Sequence, residues 1–432
     1  MPKILPIRGL RFSDNLHDKM QELIAPPYDV INPEQQDELY QQHPYNIVNL
    51  ELTKSYPEDD ENNNKYTRAA DIFQEWLDKE ILKEEKEKAI YLYEQHFPYK
   101  DSYHIRKGFF CALEPTPFEK GEVIPHEETL SKPKEDRLQL LHHCKTNFSP
   151  IFGLFRDNRH FVENKAKTYK QNQTPIVDFE DKEGQIHKIW AVTNPSFIKE
   201  LQDFFQERKI YIADGHHRYE TALQFYEEKK AEVDKPSQYA QALIAMVNIY
   251  DEGLLAFPTH RLITESSISS GELLEQLESN FSLKSLSPPQ DKHELSTLLK
   301  TYLNTAVDPH PSFGLYTYDN EFYLLTLKDL PEGEKPSPWL DIVLLQELIF
   351  SRIFGIGEEE RKTGSSLDYI KDEGEAMLQV DQGNAQYAFF LNKPPVEEIL
   401  DLSETGGRMP QKYTFFYPKL ATGLIMLNLD SQ

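Results

Sequence analysis

Residues 208–223 read Arg-Lys-Ile-Tyr-Ile-Ala-Asp-Gly-His-His-Arg-Tyr-Glu-Thr-Ala-Leu, and no other stretch constrains the fold as much. Ile210, Tyr211, Ile212 and Ala213 predict a short buried strand. Asp214 and Gly215 break it. A helix follows, with Tyr219, Ala222, Leu223 and Tyr226 on one apolar face. A strand that passes through a glycine turn into a helix offers backbone N–H groups and the positive end of a dipole to an anion. Gly215 would let the backbone come close to a ligand. His216, His217 and Arg218 fall in the first helical turn, where cations oppose the dipole unless something negative faces them. Arg218 suits a bidentate contact with phosphate. The plainer alternative makes Asp214 an ordinary N-cap and leaves the basic residues solvated.

A chain of 432 residues exceeds one compact core and predicts two or three domains. Strands such as 89–94 and 105–113, 176–180 and 187–192, 242–249 and 254–258, and 313–318 and 322–327 pair by spacing as hairpins. Helices are expected at 33–39 behind an Asn32 cap, 66–79, 131–144, 195–205, 273–277, 295–303 and 340–354. Residues 57–65 read as a solvated loop, and 266–271 as a Ser/Gly linker. Hairpins outnumber strand–helix–strand crossovers, so the expected class is α+β with mixed or antiparallel sheets. The change in character near 264–270 suggests an N-terminal α+β domain over 1–264 and a C-terminal one over 265–432.

Composition narrows the partners. The formal net charge is -25, and lysines and arginines are scattered among acids. An extended nucleic-acid groove needs a basic patch, so no nucleic-acid partner is expected. No apolar run approaches the roughly 18 residues of a membrane span, and the N-terminus has no signal-peptide pattern. Two cysteines, Cys111 and Cys144, make no disulfide framework. A cytoplasmic chain is the expectation. The oligomeric state is not readable.

Four further stretches carry chemistry. His126-Glu-Glu-Thr129 combines a histidine with two carboxylates. Its spacing is not that of a zinc site, but His126 and Glu127 fit acid–base roles, and Glu127 and Glu128 fit Mg²⁺. Lys134 and Arg137 are three apart, share a helix face and would either meet the same anion as Arg218 or form surface salt bridges. Tyr28-Asp29 follows two stiffening prolines, so Asp29 would be a well-placed base or a turn former. In 409–419 an aromatic strand is flanked by Lys412 and Lys419, and Lys412 is the candidate phosphate ligand there. Gly355-Ile-Gly357 lacks the lysine and the preceding strand of a phosphate loop.

Asp214-Gly-His-His-Arg218 resembles the signature of the ParB/sulfiredoxin-like superfamily, and free-serine kinases carry a closely similar motif. A wider resemblance rests on Ala25-Pro-Pro-Tyr-Asp-Val30, His126-Glu-Glu-Thr129, Lys134-Glu-Asp-Arg137, Ala213-Asp-Gly-His-His-Arg-Tyr219 and Met409-Pro-Gln-Lys-Tyr-Thr-Phe-Phe-Tyr-Pro-Lys419. In that order these are similar to the family called domain of unknown function 1015. The motif implies a ParB/sulfiredoxin-like nucleotide-binding core followed by a C-terminal α+β domain. Gly215, His216, His217 and Arg218 would then hold nucleotide phosphates, with Lys134, Arg137 and Lys412 in support. The implied activity is transfer of a phosphoryl group from ATP or ADP, with Mg²⁺, to a small hydroxyl compound such as free serine, or the related hydrolysis. Glu127, Asp29, His126 and Asp214 would be the catalytic groups. The alternatives are a non-catalytic nucleotide-binding switch or adaptor without DNA binding, and a scaffold with a vestigial site.

Overall fold

A computed structural model describes the chain except residues 101, 128–130, 233–235, 304–310, 330–337, 358–365, 393–395, 407–413 and 432. It divides into two compact units. The first comprises Met1–Leu255, Gly406–Arg408 and Pro418–Gln432; the second comprises Ala256–Thr405 and Met409–Tyr417. The class is α+β with mixed and antiparallel sheets.

The first unit is built on a nine-stranded sheet. Its strands are β1 (Ile4–Leu5), β2 (Ile90–Tyr99), β3 (Ser102–Leu113), β4 (Val123–Pro125), β5 (Ile151–Phe155), β6 (Val177–Glu180), β7 (Ile186–Val192), β8 (Ile210–Asp214) and β9 (Ala242–Asn248). Their order is β4-β8-β5-β9-β3-β2-β7-β6, with β1 on β3. The pairs β4–β8 and β5–β9 are parallel, and the rest are antiparallel. Alternation along each strand sorts the faces. Ile90, Leu92, Phe109 and Cys111 form one hydrophobic core with Val162, Ala166, Phe197, Leu201 and Phe205 of helices Phe161–Lys170 and Pro195–Phe205. The residues between them, Tyr91, Tyr93, Gln95, Arg106 and Phe110, belong to the opposite face and are also buried.

Three helices matter for the site: α1 (Lys65–Asp78), α2 (Ser131–Cys144) and α3 (His216–Glu232). Asn64 caps α1, accepting from the Tyr66 and Thr67 amides. The C-terminal segment is pinned by bridges Ala25–Thr422 and Leu10–Met426 and by pairing of Leu427–Asn428 with Thr146–Asn147. Leu424, Ile425, Met426 and Leu427 are buried.

The second unit holds a six-stranded antiparallel sheet with a hydrophobic cluster on each face. The expected hairpin of 242–249 with 254–258 does not form. β9 is already flanked by β3 and β5, and Leu255–Pro258 pairs with Thr414–Tyr417. The Asp251 carboxylate accepts from the Lys107 and Gly253 amides and ties the turn to β3 instead. The helix expected over 340–354 is α-helical at Pro338–Leu344 and becomes a π-helix at Leu345–Ser351.

Candidate functional site

The site grows from the edge of the first sheet. β4 and β8 run parallel, so His126, just past β4, and Asp214, ending β8, leave the sheet at the same edge. Gly215 then turns the chain with φ +86°, a left-handed conformation suited to glycine, and α3 begins. Tyr219 anchors that helix from below: its hydroxyl donates to the Thr116 carbonyl at 2.7 Å and accepts from the Thr116 amide at 2.9 Å.

The two histidines are not cations pressed against the dipole. His216 is buried, and its Nε2 accepts the His126 amide at 3.3 Å, which fixes Nε2 as unprotonated. His126 is buried too, and its Nδ1 donates to the Ile212 carbonyl at 2.6 Å. The rings meet edge-on at 4.7 Å. Burial, assisted by Lys134, pulls the His217 imidazolium to lower pKa in spite of Glu220, so it too favours the neutral form. Arg218 carries the unambiguous positive charge of the turn, and Asp214 balances it at 3.5 Å. The Arg218 Nη1 also donates to the Pro150 carbonyl. Its guanidinium lies over Gly215, where a Cβ would stand 2.9 Å from Nε. The glycine therefore makes room for Arg218. Nε itself is buried and has no hydrogen-bond partner.

Asp214 is held between two cations. Lys419 Nζ, from the C-terminal segment, is 3.3 Å from the carboxylate Oδ2. Burial alone would raise this carboxyl, but Lys419 and Arg218 bring it down to about 2. Asp29 behaves in the opposite way. It keeps an exposed surface, yet the protein packed around it pushes its carboxyl up, and the Asp214 charge pushes it further, against the pull of Arg218 and Lys419. Two carboxyl groups with opposed proton affinities thus share the field of two cations at a helix N-terminus.

The other predicted residues have settled places. Arg137 is buried, pairs with Glu51 and Asp136, and covers the Tyr28 ring at 4.1 Å. Lys134 pairs with Glu220 of α3 at 2.8 Å. Arg137 and Arg218 border one cavity of about 40 Å³ with Glu51, Ser149 and Thr221, which has room for water. Glu127 lies 3.6 Å from the His126 ring. Glu128 and Lys412 lie outside the described residues. Among the described residues no group of three metal-capable side chains occurs. Sequence reasoning named Lys419 beside the aromatic strand but singled out Lys412, and it missed Pro150. Lys419 closes the same aromatic stretch as Lys412, and nothing local distinguished which lysine reaches the turn.

A family model described as Protein of unknown function (DUF1015) matches residues 4–353. The chain belongs to that family. No curated protein matches. Solved structures include a conserved hypothetical protein from Pyrococcus furiosus at 13% identity and TM-score 0.37, covering 75% of this chain and 96% of that one. A free serine kinase in complex with AMP matches at 14% identity and TM-score 0.36, covering 73% and 92%. SbnI from Staphylococcus aureus, with a C-terminal truncation, matches at 10% identity and TM-score 0.34, covering 74% and 89%. No described helix is long and apolar enough to cross a membrane.

Proposed function

We propose that the protein is a nucleotide-dependent phosphotransferase that uses ATP or ADP and acts on a small hydroxyl compound. The observation that carries this reading is the Asp29–Asp214 pair in front of α3. Phosphoryl transfer needs positioning, positive charge and one base. The helix N-terminus, Arg218 and Lys419 supply the charge. Asp29 is the base: its raised carboxyl lies nearer neutrality than that of a free aspartate, which favours proton transfer. The substrate hydroxyl oxygen attacks the terminal phosphorus, the bond to the departing nucleotide breaks, and the hydroxyl proton passes to Asp29. Asp214 stays ionised and holds Arg218 and Lys419 in place. The similarity of Asp214-Gly-His-His-Arg218 to free-serine kinases makes serine a reasonable first substrate. A Mg²⁺ ion brought in by the phosphates would screen their charge.

The experiment is direct titration of the full chain with ADP and ATP, with and without Mg²⁺, at a temperature where every variant is folded. A ligand at 100 times its Kd should add about 2.7 kcal/mol of stability. Arg218→Lys keeps the charge and loses the fork, so nucleotide affinity should fall roughly tenfold or more. Arg218→Ala should also melt lower, because the contacts with Pro150 and Asp214 go with it. If both variants bind nucleotide like wild type, the turn is not the phosphate site. Tight binding without transfer to any small hydroxyl compound would favour the switch or adaptor reading.

A further inference from the structure

The contacts of Arg137 are of two kinds, those at the edges of its guanidinium and one on its face. At the edges, Nη1 donates to the Glu51 carbonyl at 2.8 Å and lies 3.3 Å from the Glu51 carboxylate, and Nε donates to the Asp136 carboxylate at 2.9 Å. Both acids are held in turn. Ser149 donates to Glu51 at 2.7 Å, and Lys65 and Tyr66 of α1 engage Asp136. Hydrogen bonds along its edges fix the plane of a guanidinium and leave its face for stacking. On that face lies the Tyr28 ring, 4.1 Å from Arg137 Cζ to the ring centroid, where the ring quadrupole attracts the cation.

Asp29 is the next residue. A short 3₁₀ turn over Tyr28–Val30 carries it, closed by the Val30 amide on the Pro27 carbonyl at 3.1 Å and the Ile31 amide on the Tyr28 carbonyl at 3.4 Å. The Ala25–Thr422 bridge ties the chain before this turn, and Asn32 caps helix Pro33–Gln42 after it. Between those ties the stacked Tyr28 ring holds the turn against α2. The charged groups acting on Asp29 are Asp214, Arg218 and Lys419, and it acts in turn on His217 and Tyr28. We infer that the Arg137–Tyr28 stack positions Asp29: Arg137, locked into α2, holds the Tyr28 ring, and the ring holds the neighbouring carboxylate at the Asp214 turn. This rests on the phosphotransferase reading, in which Asp29 takes the substrate proton. Arg137 then serves the base and not the phosphate.

The test is a set of double-variant cycles by urea unfolding of the full chain between pH 3 and 8, with an ADP titration of each protein. Asp29→Asn should stabilise at pH 7 while the carboxylate is held in its present surroundings, so the size of that gain reports its position. Tyr28→Leu removes the ring and spares the ion pairs of Arg137. In that background the gain should fall by about half or more, because a released Asp29 turns into water and relaxes towards an ordinary carboxylate. Tyr28→Phe keeps the ring and should keep the gain, which sets the stack apart from the hydroxyl. Arg137→Lys keeps the charge but loses the flat face, so it should reduce the gain as Tyr28→Leu does and tests the stack even if Tyr28→Leu does not fold. ADP affinity of Tyr28→Leu should stay within about twofold of wild type, since Arg218 and the turn into α3 are untouched. Equal gains in every background, a gain lost in Tyr28→Phe, or ADP binding lost in Tyr28→Leu overturns the inference, and ADP binding by the wild type then spares the phosphotransferase reading. Absence of ADP binding by the wild type removes that reading and the inference with it.

Discussion

At the scale of residues, the Asp29–Asp214 pair makes the sharpest demands. Asp214 has a carboxyl depressed from 3.8 to about 2, so it stabilises the fold above the unfolded value and loses that contribution as pH falls from about 4 towards 2. The shift corresponds to about 2 kcal/mol at neutral pH. Asp29 is raised, so its ionisation costs stability once pH climbs through 3.8 and beyond. Asp214→Asn should therefore destabilise at pH 7, with the deficit closing in acid. Asp29→Asn should stabilise at pH 7, with the gain vanishing below the ordinary aspartate range, while phosphoryl transfer is lost. Because each charge acts on the other, the double variant should depart from additivity. Urea unfolding of the three variants between pH 3 and 8 measures all of this; equal pH dependence in all of them would remove the pair.

At the scale of elements, the turn into α3 is the piece on which the site depends. Gly215→Ala would ask an alanine to hold φ +86° and would drive Cβ onto Arg218. A destabilisation of about 1–3 kcal/mol is expected, together with weaker nucleotide binding, and calorimetric melting plus titration checks both. This turn was legible from sequence, because Ile210–Ala213 and the Tyr219–Ala222 stripe encode strand and helix locally. The hairpins β2–β3 and β6–β7 were legible for the same reason: their partners are neighbours in sequence. The 242–258 hairpin was misread because turn residues specify a bend but not which edge is free, and β9 had both edges filled. For β4 the apolar run before His126 signals a strand but not its partner. It is three residues long, and its pairing with β8 joins segments far apart in the chain. The site divided likewise: Asp214, Gly215 and Arg218 came from one motif, whereas Lys419 needed the tertiary structure to bring it there.

At the scale of the whole molecule, the first unit is closed by the last part of the chain. A chain ending at Tyr417 would lose six buried apolar side chains, Leu420, Leu424 to Leu427 and Leu429, and the pairings with Leu10, Ala25 and Thr146. At about 1.5–3 kcal/mol per side chain, that matches the entire stability of an ordinary domain. The truncated chain should show no cooperative near-ultraviolet transition. Lys419→Met in the full chain should fold and lose only the hold on Asp214. The second unit is thus an insertion between two parts of the first, and its residues are made before the segment that supplies Lys419. During synthesis on the ribosome, Asp214 emerges long before its cation, and the whole second unit is translated in the interval. The carboxylate pair must then wait, with Asp214 lacking one of its two counter-charges, until residue 419 has been added. On the proposed reading the site would form only after the whole second unit has been translated, and messages cut short before codon 419 would yield chains with an unformed site.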